Sequence, residues 1–443
     1  MSIPYKKNKF SKYSPIPVVL AGFCSLSCPT LYAAEYEYLI EATAHAEHID
    51  NPRRSDVADQ DEFLSQQRLR GTLSRATSKV LANVDYQGTK NNYQNNLLAD
   101  RTFVTGASSL SWIIAPDRFT WDASNTRSLQ VVDSLLPDTI DNRQVISLTS
   151  TGPRATVQLS GRNKLSGSVN YSIAEYEMSE LSSQDRIVTD VQLSHNFSSK
   201  YTSSLGGNYL QSEVDGAPML SFNRYEYFWQ NQYVTEIFDV SLMLGQNVLR
   251  RDNFEDQENF LVRFTGSYKL NSQSSLNFNY SNSYEDVFSN MLRSPANPSQ
   301  LIGDRFGDSN FNQNFKMVEK SVNYLYTRSE FFNMNIGYSQ TDRTYEALVN
   351  ARNQASEHYN IGANWKLFQN LDFSLYGRYT EQEFVDFARA QDRKEYGMRA
   401  SYRLSKSLYT QFNVSSVDQK GTLPMDNYDG LNYSISITFT LGN

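Results

Sequence analysis

Residues 433–441 read Tyr433-Ser-Ile-Ser-Ile-Thr-Phe-Thr-Leu441, with an apolar or aromatic residue at every second position and a hydroxyl residue between them. Side chains alternate between the two faces of a β-strand, so this segment has one face suited to hydrocarbon and one suited to water. The same alternation recurs through most of the chain, for example in residues 260–270 and 371–379. We therefore predict an all-β fold: a transmembrane, antiparallel, up-and-down β-barrel of about 20 strands, within a range of about 18 to 22.

Short turn signals divide the sequence at fairly even intervals. They fall near Arg75, Ala115, Gly161, Ser198, Thr235, Asn271, Arg328, Gln369 and Ser405. Longer polar segments lie between them, such as residues 49–60, 129–143, 287–312 and 420–429. Short turns on one rim and long loops on the other are typical of outer-membrane barrels, with the turns on the periplasmic side. The sequence therefore predicts a Gram-negative outer-membrane location with both termini in the periplasm.

The first 34 residues have the features of a signal peptide. A short apolar stretch, residues 16–26, lies between a basic start and the small residues Ala33 and Ala34, and the basic residues are Lys6, Lys7, Lys9 and Lys12. We expect cleavage after residue 34 and a single barrel domain over residues 35–443. Both cysteines, Cys24 and Cys28, lie in the signal, so the mature chain would have no thiol. Acylation of Cys28 as a lipoprotein is the alternative.

Charge argues against one class of protein, and hydropathy excludes another. Loss of the four signal lysines leaves 41 − 4 = 37 basic residues against 48 acidic ones, a net charge of −11, which argues against a nucleic-acid partner. Mean hydropathy is negative. No run of about 18 apolar residues occurs, which excludes a helical membrane protein.

The four tryptophans lie close to predicted short turns. Trp112, Trp121, Trp229 and Trp365 also share the apolar parity of their own strands. Because an indole ring favours hydrocarbon while its N–H favours water, tryptophans gather at membrane boundaries. We interpret the four as a periplasmic aromatic girdle in contact with outer-membrane lipid. The alternative is four unrelated core residues.

By the same parity, five arginines face the lumen. They are Arg68, Arg70, Arg263, Arg378 and Arg399. A basic lumen would guide an acidic sugar polymer or another anion, because guanidinium groups bind carboxylates bidentately. The alternative is a ladder of arginine–carboxylate pairs that only stiffens the wall. The longest loop, residues 287–312, is either a constriction folded into the barrel or an extracellular loop that covers nothing.

One stretch carries a family resemblance. Trp112-Ile-Ile-Ala-Pro-Asp-Arg-Phe-Thr-Trp121 is followed by Asn142-Arg-Gln-Val145 and by Ser150-Thr-Gly-Pro153. These pieces, and the Tyr-containing strand pairs after them, resemble the outer-membrane barrels associated with exosortase (PEP-CTERM) and exopolysaccharide systems, often called EpsL-like. The resemblance implies a porin-like barrel for polysaccharide secretion or surface assembly, with barrel-insertion machinery and periplasmic secretion components as partners. It supplies no catalytic residues.

Residue types for catalysis are sparse. No Gly-x-Ser-x-Gly or His-Glu-x-x-His motif occurs. His45 and His48 would face opposite sides of one strand, and His195 and His358 are placed as ordinary residues near strand ends. We therefore predict a non-enzymatic transport barrel with no catalytic residues, no metal and no cofactor. The alternatives are a plugged docking barrel without an open pore and, third, an outer-membrane enzyme.

Overall fold

A computed structural model describes residues 36–55, 60–133, 135–177, 183–214, 217–252, 254–286, 288–289, 314–345 and 353–442. The predicted signal peptide, residues 1–34, and most of the predicted long loop, residues 287–312, lie outside these ranges. The described part, which belongs to the unit Tyr36–Asn443, is almost entirely β-structure.

The described residues form twenty strands. In chain order they are β1 (Tyr36–Asp50), β2 (Asp61–Ala76), β3 (Val80–Tyr93), β4 (Arg101–Ala115), β5 (Phe119–Val131), β6 (Arg143–Gln158), β7 (Asn163–Tyr176), β8 (Gln184–Asn196), β9 (Tyr201–Val214), β10 (Phe222–Val234), β11 (Phe238–Arg250), β12 (Gln257–Lys269), β13 (Ser274–Glu285), β14 (Phe315–Thr327), β15 (Phe332–Thr344), β16 (Gln354–Phe368), β17 (Leu371–Phe384), β18 (Arg389–Arg403), β19 (Leu408–Gly421) and β20 (Tyr428–Gly442).

Each strand pairs antiparallel with its neighbours in sequence, and the two end strands close the sheet. Thr43 of β1 lies opposite Thr438 of β20, and their hydroxyl oxygens are 2.8 Å apart. A closed sheet leaves no row of unpaired backbone groups, each of which would cost several kcal/mol in hydrocarbon. The predicted up-and-down barrel of 20 strands is thereby confirmed.

The connections separate into two rims. Every predicted short turn falls at a strand connection on one rim, here called the turn rim, where β1 begins and β20 ends. The opposite loop rim carries the longer connections, and the described parts of these contain four single-turn 3-10 helices. Among the described residues, no helix is long and apolar enough to cross a membrane.

The two faces of the sheet follow the alternation that the sequence predicts. In β20, Ile437 and Phe439 are 51% and 50% exposed, while Thr438 between them is 3% exposed. The apolar face therefore points away from the barrel and the hydroxyl face points into the lumen.

The wall is interrupted where β13 separates from β12. Pairing between these strands ends at Val262 and Asn282, although β13 continues to pair with β14 as far as Glu285. The end of β13 therefore leans into the lumen. Tyr284 is buried there in an apolar cluster with residues of β9, β10 and β11, namely Leu210, Phe222 and Leu249.

Candidate functional site: the charged inner face of the barrel

The five predicted arginines all lie on the inner face. Leu69, between Arg68 and Arg70, points outward and is 61% exposed. Met398, next to Arg399, and Leu375, on the parity opposite to Arg378, also point outward. On β12, the outward Phe260 is 62% exposed and has the parity opposite to Arg263. Strand alternation then directs the arginine side chains to the lumen.

Two of the five arginines are held by carboxylates. Arg70 donates to Asp85 through Nε and Nη2, at 2.8 and 2.7 Å, and through Nη1 to Glu41 at 3.0 Å. Arg263 donates to both carboxylate oxygens of Glu226, at 3.0 and 3.2 Å, and lies 3.5 Å from Glu285. These two match the predicted alternative, a ladder of paired charges.

The other three arginines have different surroundings. In the part of the chain that the structure describes, no carboxylate oxygen lies within 4.0 Å of Arg68, Arg378 or Arg399. The Nε of Arg68 donates to Oε1 of Gln66. Arg378 and Arg399 are exposed to the lumen, and the guanidinium carbon of Arg378 lies 5.8 Å from the centre of the Tyr376 ring. The five predicted arginines therefore form two sets with different surroundings.

A further charge cluster lies at the loop rim, where the sequence did not predict one. We call the end of β13 and the residues after it, 284–286, 288 and 289, the inward segment. Its Asp286 accepts hydrogen bonds from Arg186 of β8 at 2.6 and 3.2 Å and from Arg224 of β10 at 3.3 Å. All three side chains are 6% exposed or less. The hydroxyl of Ser289 accepts from both arginines, at 3.2 and 3.1 Å.

Asp286 is held in its charged form. Burial by itself would raise the pKa of this carboxyl, but the nearby charges of Arg186 and Arg224 outweigh burial and hold the pKa well below its ordinary value. The backbone N–H groups of Phe288 and Ser289 also donate to its Oδ1, at 3.0 Å each. A carboxylate with these donors is a fixed anchor for the segment that carries it.

The inward segment continues along the wall beyond this anchor. Phe288 packs in an apolar cluster on the inner face of β6 and β7, and its ring centre lies 5.5 Å from that of Tyr176. The other members of the cluster are Ile146, Leu148 and Ala174. Phe288 and Ser289, the first described residues of the predicted long loop, therefore lie against the inner wall. The rest of that loop lies outside the described residues.

A second connection, between β5 and β6, also reaches over the mouth of the barrel. The backbone carbonyl of Leu135 accepts a hydrogen bond from Arg389 of β18 at 2.8 Å, and Ile140 packs beside Leu64 and Tyr93 of β2 and β3. Burial would raise the pKa of Asp138, but hydrogen bonds from Arg143 at 2.6 and 2.7 Å and the charges of Arg143 and Arg54 lower it. Both connections narrow the mouth at the loop rim.

The four tryptophans all lie on the outer face. Trp112 and Trp121 pair directly across β4 and β5 and are 54% and 42% exposed, and Trp229 is 47% exposed. Trp365 is partly exposed and lies between the rings of Phe332 and Phe373. The indole N–H of Trp121 donates to Thr151 at 2.9 Å. Their role as a membrane girdle stays a prediction.

The histidines lie apart from one another. His48 stacks on the outward ring of Tyr433, while His45 of the same strand faces inward, which confirms the predicted opposite orientations. His358 contacts Thr380 at 3.0 Å, and His195 contacts Asn163 at 2.7 Å near the turn rim. Within the described ranges, no group of three or more His, Cys, Asp or Glu side chains is arranged to hold a metal ion.

Comparison with known proteins bears on the fold. No protein-family model and no curated protein matches this sequence. Among solved structures, it is similar to a mutant ferric enterobactin receptor from Pseudomonas aeruginosa in complex with enterobactin, with 11% identity, a TM-score of 0.50, and 93% of this chain and 82% of that chain covered. It is also similar to the FrpB iron transporter from Neisseria meningitidis, with 9% identity, a TM-score of 0.50 and the same coverage. The chain thus has the fold of outer-membrane β-barrels.

Proposed function

We propose that this chain is a porin-like passage of the Gram-negative outer membrane that serves exopolysaccharide export or exosortase-linked surface assembly. The observation that carries the passage is a closed barrel of twenty described strands with an apolar outer face and a polar inner face. Barrels of 16–18 strands already enclose an aqueous channel. The polysaccharide assignment rests on the family resemblance of residues 112–153.

The proposed passage is selective for anions. The support is that Arg378 and Arg399 are exposed on the inner face and have no carboxylate partner among the described residues, whereas Arg70 and Arg263 are neutralised by acids. Charge that lines the narrow part of a pore sets its selectivity. In this proposal the turn rim faces the periplasm, where it meets the secretion components. The role is non-enzymatic.

A second candidate function is a plugged docking barrel. It is favoured by the two connections at the loop rim, because the inward segment and the β5–β6 connection both cover inner wall there. In this reading the turn rim binds secretion partners, and the covered mouth opens only when a partner is bound, or never opens.

Single-channel conductance of the refolded mature chain in a planar bilayer, with the reversal potential under a salt gradient, tests both functions. A passage gives steady openings with anion preference that weakens in Arg378→Gln and Arg399→Gln, because each change removes an exposed positive charge. Arg378→Lys, which keeps the positive charge, is the matched control and is expected to leave the selectivity nearly unchanged. A folded barrel that stays silent would contradict the passage and favour the docking barrel.

A further inference from the structure

The inner wall of β15–β19 carries a partly exposed aromatic ring. Tyr376 of β17 lies across Gly397 of β18, where a Cβ atom would collide with the tyrosine ring. A Cβ at Gly397 would point into the lumen, so the ring lies on the inner face and runs along the wall. The side chain is partly exposed. An accessible aromatic surface of this kind can stack against the apolar face of a ring-shaped ligand.

Two guanidinium groups flank this ring. Arg378 follows Tyr376 by two residues on the same face, and Arg399 lies opposite Ser374, two residues before it. Along the strand direction the two arginines are therefore about 13 Å apart, with Tyr376 between them. Both are exposed and, among the described residues, have no carboxylate within 4.0 Å. Glu395 lies directly opposite Arg378 on β18, and it forms an ion pair with Arg393 at 3.5 Å.

Amide groups border the same surface. Asn335 of β15 lies over Gly362, and Asn360 of β16 lies over Gly337, so both amides lie against the inner wall. Amides can donate hydrogen bonds to hydroxyl groups and accept hydrogen bonds from them. The three kinds of group on this wall match an acidic saccharide. The tyrosine ring suits the apolar face of a sugar ring, the amides suit its hydroxyl groups, and the exposed guanidinium groups suit its carboxylates.

We infer that the inner wall centred on Tyr376, Arg378 and Arg399 is a binding subsite for a carboxylate-bearing oligosaccharide. One sugar ring stacks on Tyr376, and the two arginines bind carboxylates on either side of it, for which a planar guanidinium is geometrically suited. The inference deepens the proposed function, on which it rests, by assigning the chemical class of the cargo and the residues that contact it.

Isothermal titration calorimetry of the refolded chain in detergent tests the subsite, with oligogalacturonate as the acidic probe and a malto-oligosaccharide of equal length as the neutral one. The acidic probe is expected to bind at least about tenfold more tightly. Tyr376→Leu should weaken its binding about tenfold, while Tyr376→Phe, which keeps the ring, should retain it. Arg378→Gln and Arg399→Gln should each weaken it by about the same factor and reduce its dependence on salt.

Phe228 supplies the matched control. It lies on the inner face of β10 over Gly206, as Tyr376 lies over Gly397, but the inward charges on its own strand, Arg224 and Glu226, are buried in ion pairs. Phe228→Leu should therefore leave binding unchanged. Far-UV circular dichroism and heat-modifiable gel migration establish that each variant is folded. Equal affinity for both probes, or a loss in Phe228→Leu without a loss in Tyr376→Leu, would overturn the subsite.

Conductance of the same preparation separates this inference from the proposed function. A conducting barrel that binds neither probe overturns the subsite and leaves the passage standing. A silent barrel that binds oligogalacturonate through Tyr376 overturns the passage and leaves the subsite standing.

Discussion

The inner walls of β8–β13 and β15–β19 carry the same types of residue in different surroundings. On the first wall, Arg186 and Arg224 are almost fully buried against Asp286 of the inward segment. On the second, Arg378 and Arg399 remain exposed and have no acidic partner in the described part of the chain. An inward arginine can therefore either anchor the chain or stay available to a ligand. For these four arginines, the difference is whether the inward segment covers them.

The largest expected effect concerns Asp286, which anchors the inward segment to the inner wall of β8–β13. Asp286→Ala removes the carboxylate that the buried Arg186 and Arg224 share, and among the described residues only Arg224 keeps another acid, Glu226 at 3.8 Å. The free energy of unfolding should therefore fall by about 3–5 kcal/mol. Guanidinium-induced unfolding of the barrel in liposomes measures it. Asp122→Ala is the control, because its partner Arg154 is 62% exposed at 3.4 Å, and it should cost less than about 1 kcal/mol. Equal losses would mean that burial does not distinguish the two pairs.

The next effect tests the face assignment on which the comparison depends. Leu375→Arg places a charge on the outer face of β17 and should cost about 2–4 kcal/mol of stability if the residue lies near the midplane of the bilayer. Ser374→Arg, one residue earlier and facing the lumen, should cost less than half as much. The same liposome unfolding assay compares them. If Ser374→Arg were the more damaging change, the inner and outer faces of β17 would be reversed.

Low pH should lower the stability that Asp286 contributes to the inner wall of β8–β13. Because the pKa of Asp286 is lower in the folded protein than in the unfolded chain, the stability it contributes is present above the unfolded value and is lost as pH falls through the folded one. The folded pKa lies below the unfolded value of about 3.9, so about 1 kcal/mol should be lost between pH 7 and pH 3. Unfolding midpoints across this range measure the loss. Asp286→Asn should show a shallower pH dependence, and an unchanged slope would show that Asp286 does not contribute.

The smallest effect on stability is expected for a substitution on the inner wall of β15–β19. Arg378→Gln removes an exposed charge that has no acidic partner among the described residues, so stability should change by no more than about 0.5 kcal/mol. The unfolding assay used for Asp286→Ala gives the comparison directly. A loss similar to that of Asp286→Ala would mean that Arg378 is structural after all, and the division of the lumen into two walls would fail.

Much of the fold can be predicted from the sequence because the alternation of side chains is a local property. The period of two around Ile437 and Thr438 assigns the outer and inner faces, and the turn signals near Ala115 and Gln369 locate two of the connections. Counting them predicts the twenty strands that the structure confirms. The inward direction of Arg378 and Arg399 follows from the same parity.

The charge cluster could not be predicted in this way. The parity of Arg186 and Arg224 could have been read from the sequence, and the length of the loop after β13 was a signal. Their pairing with Asp286 depends on β13 leaving β12 beyond Asn282 and leaning across the inner wall, which brings residues about 100 positions apart into contact.

By itself, the sequence determined that this chain forms a closed barrel with an apolar outside and a polar, arginine-bearing inside, because strand alternation and turn chemistry act over a few residues. Only the tertiary structure decided that Arg186 and Arg224 are buried against Asp286, whereas Arg378 and Arg399 stay exposed on the inner face. That outcome depends on where β13 leaves its neighbour and on which distant segments then cover the wall, and burial and ion pairing between distant strands leave no local pattern in the sequence.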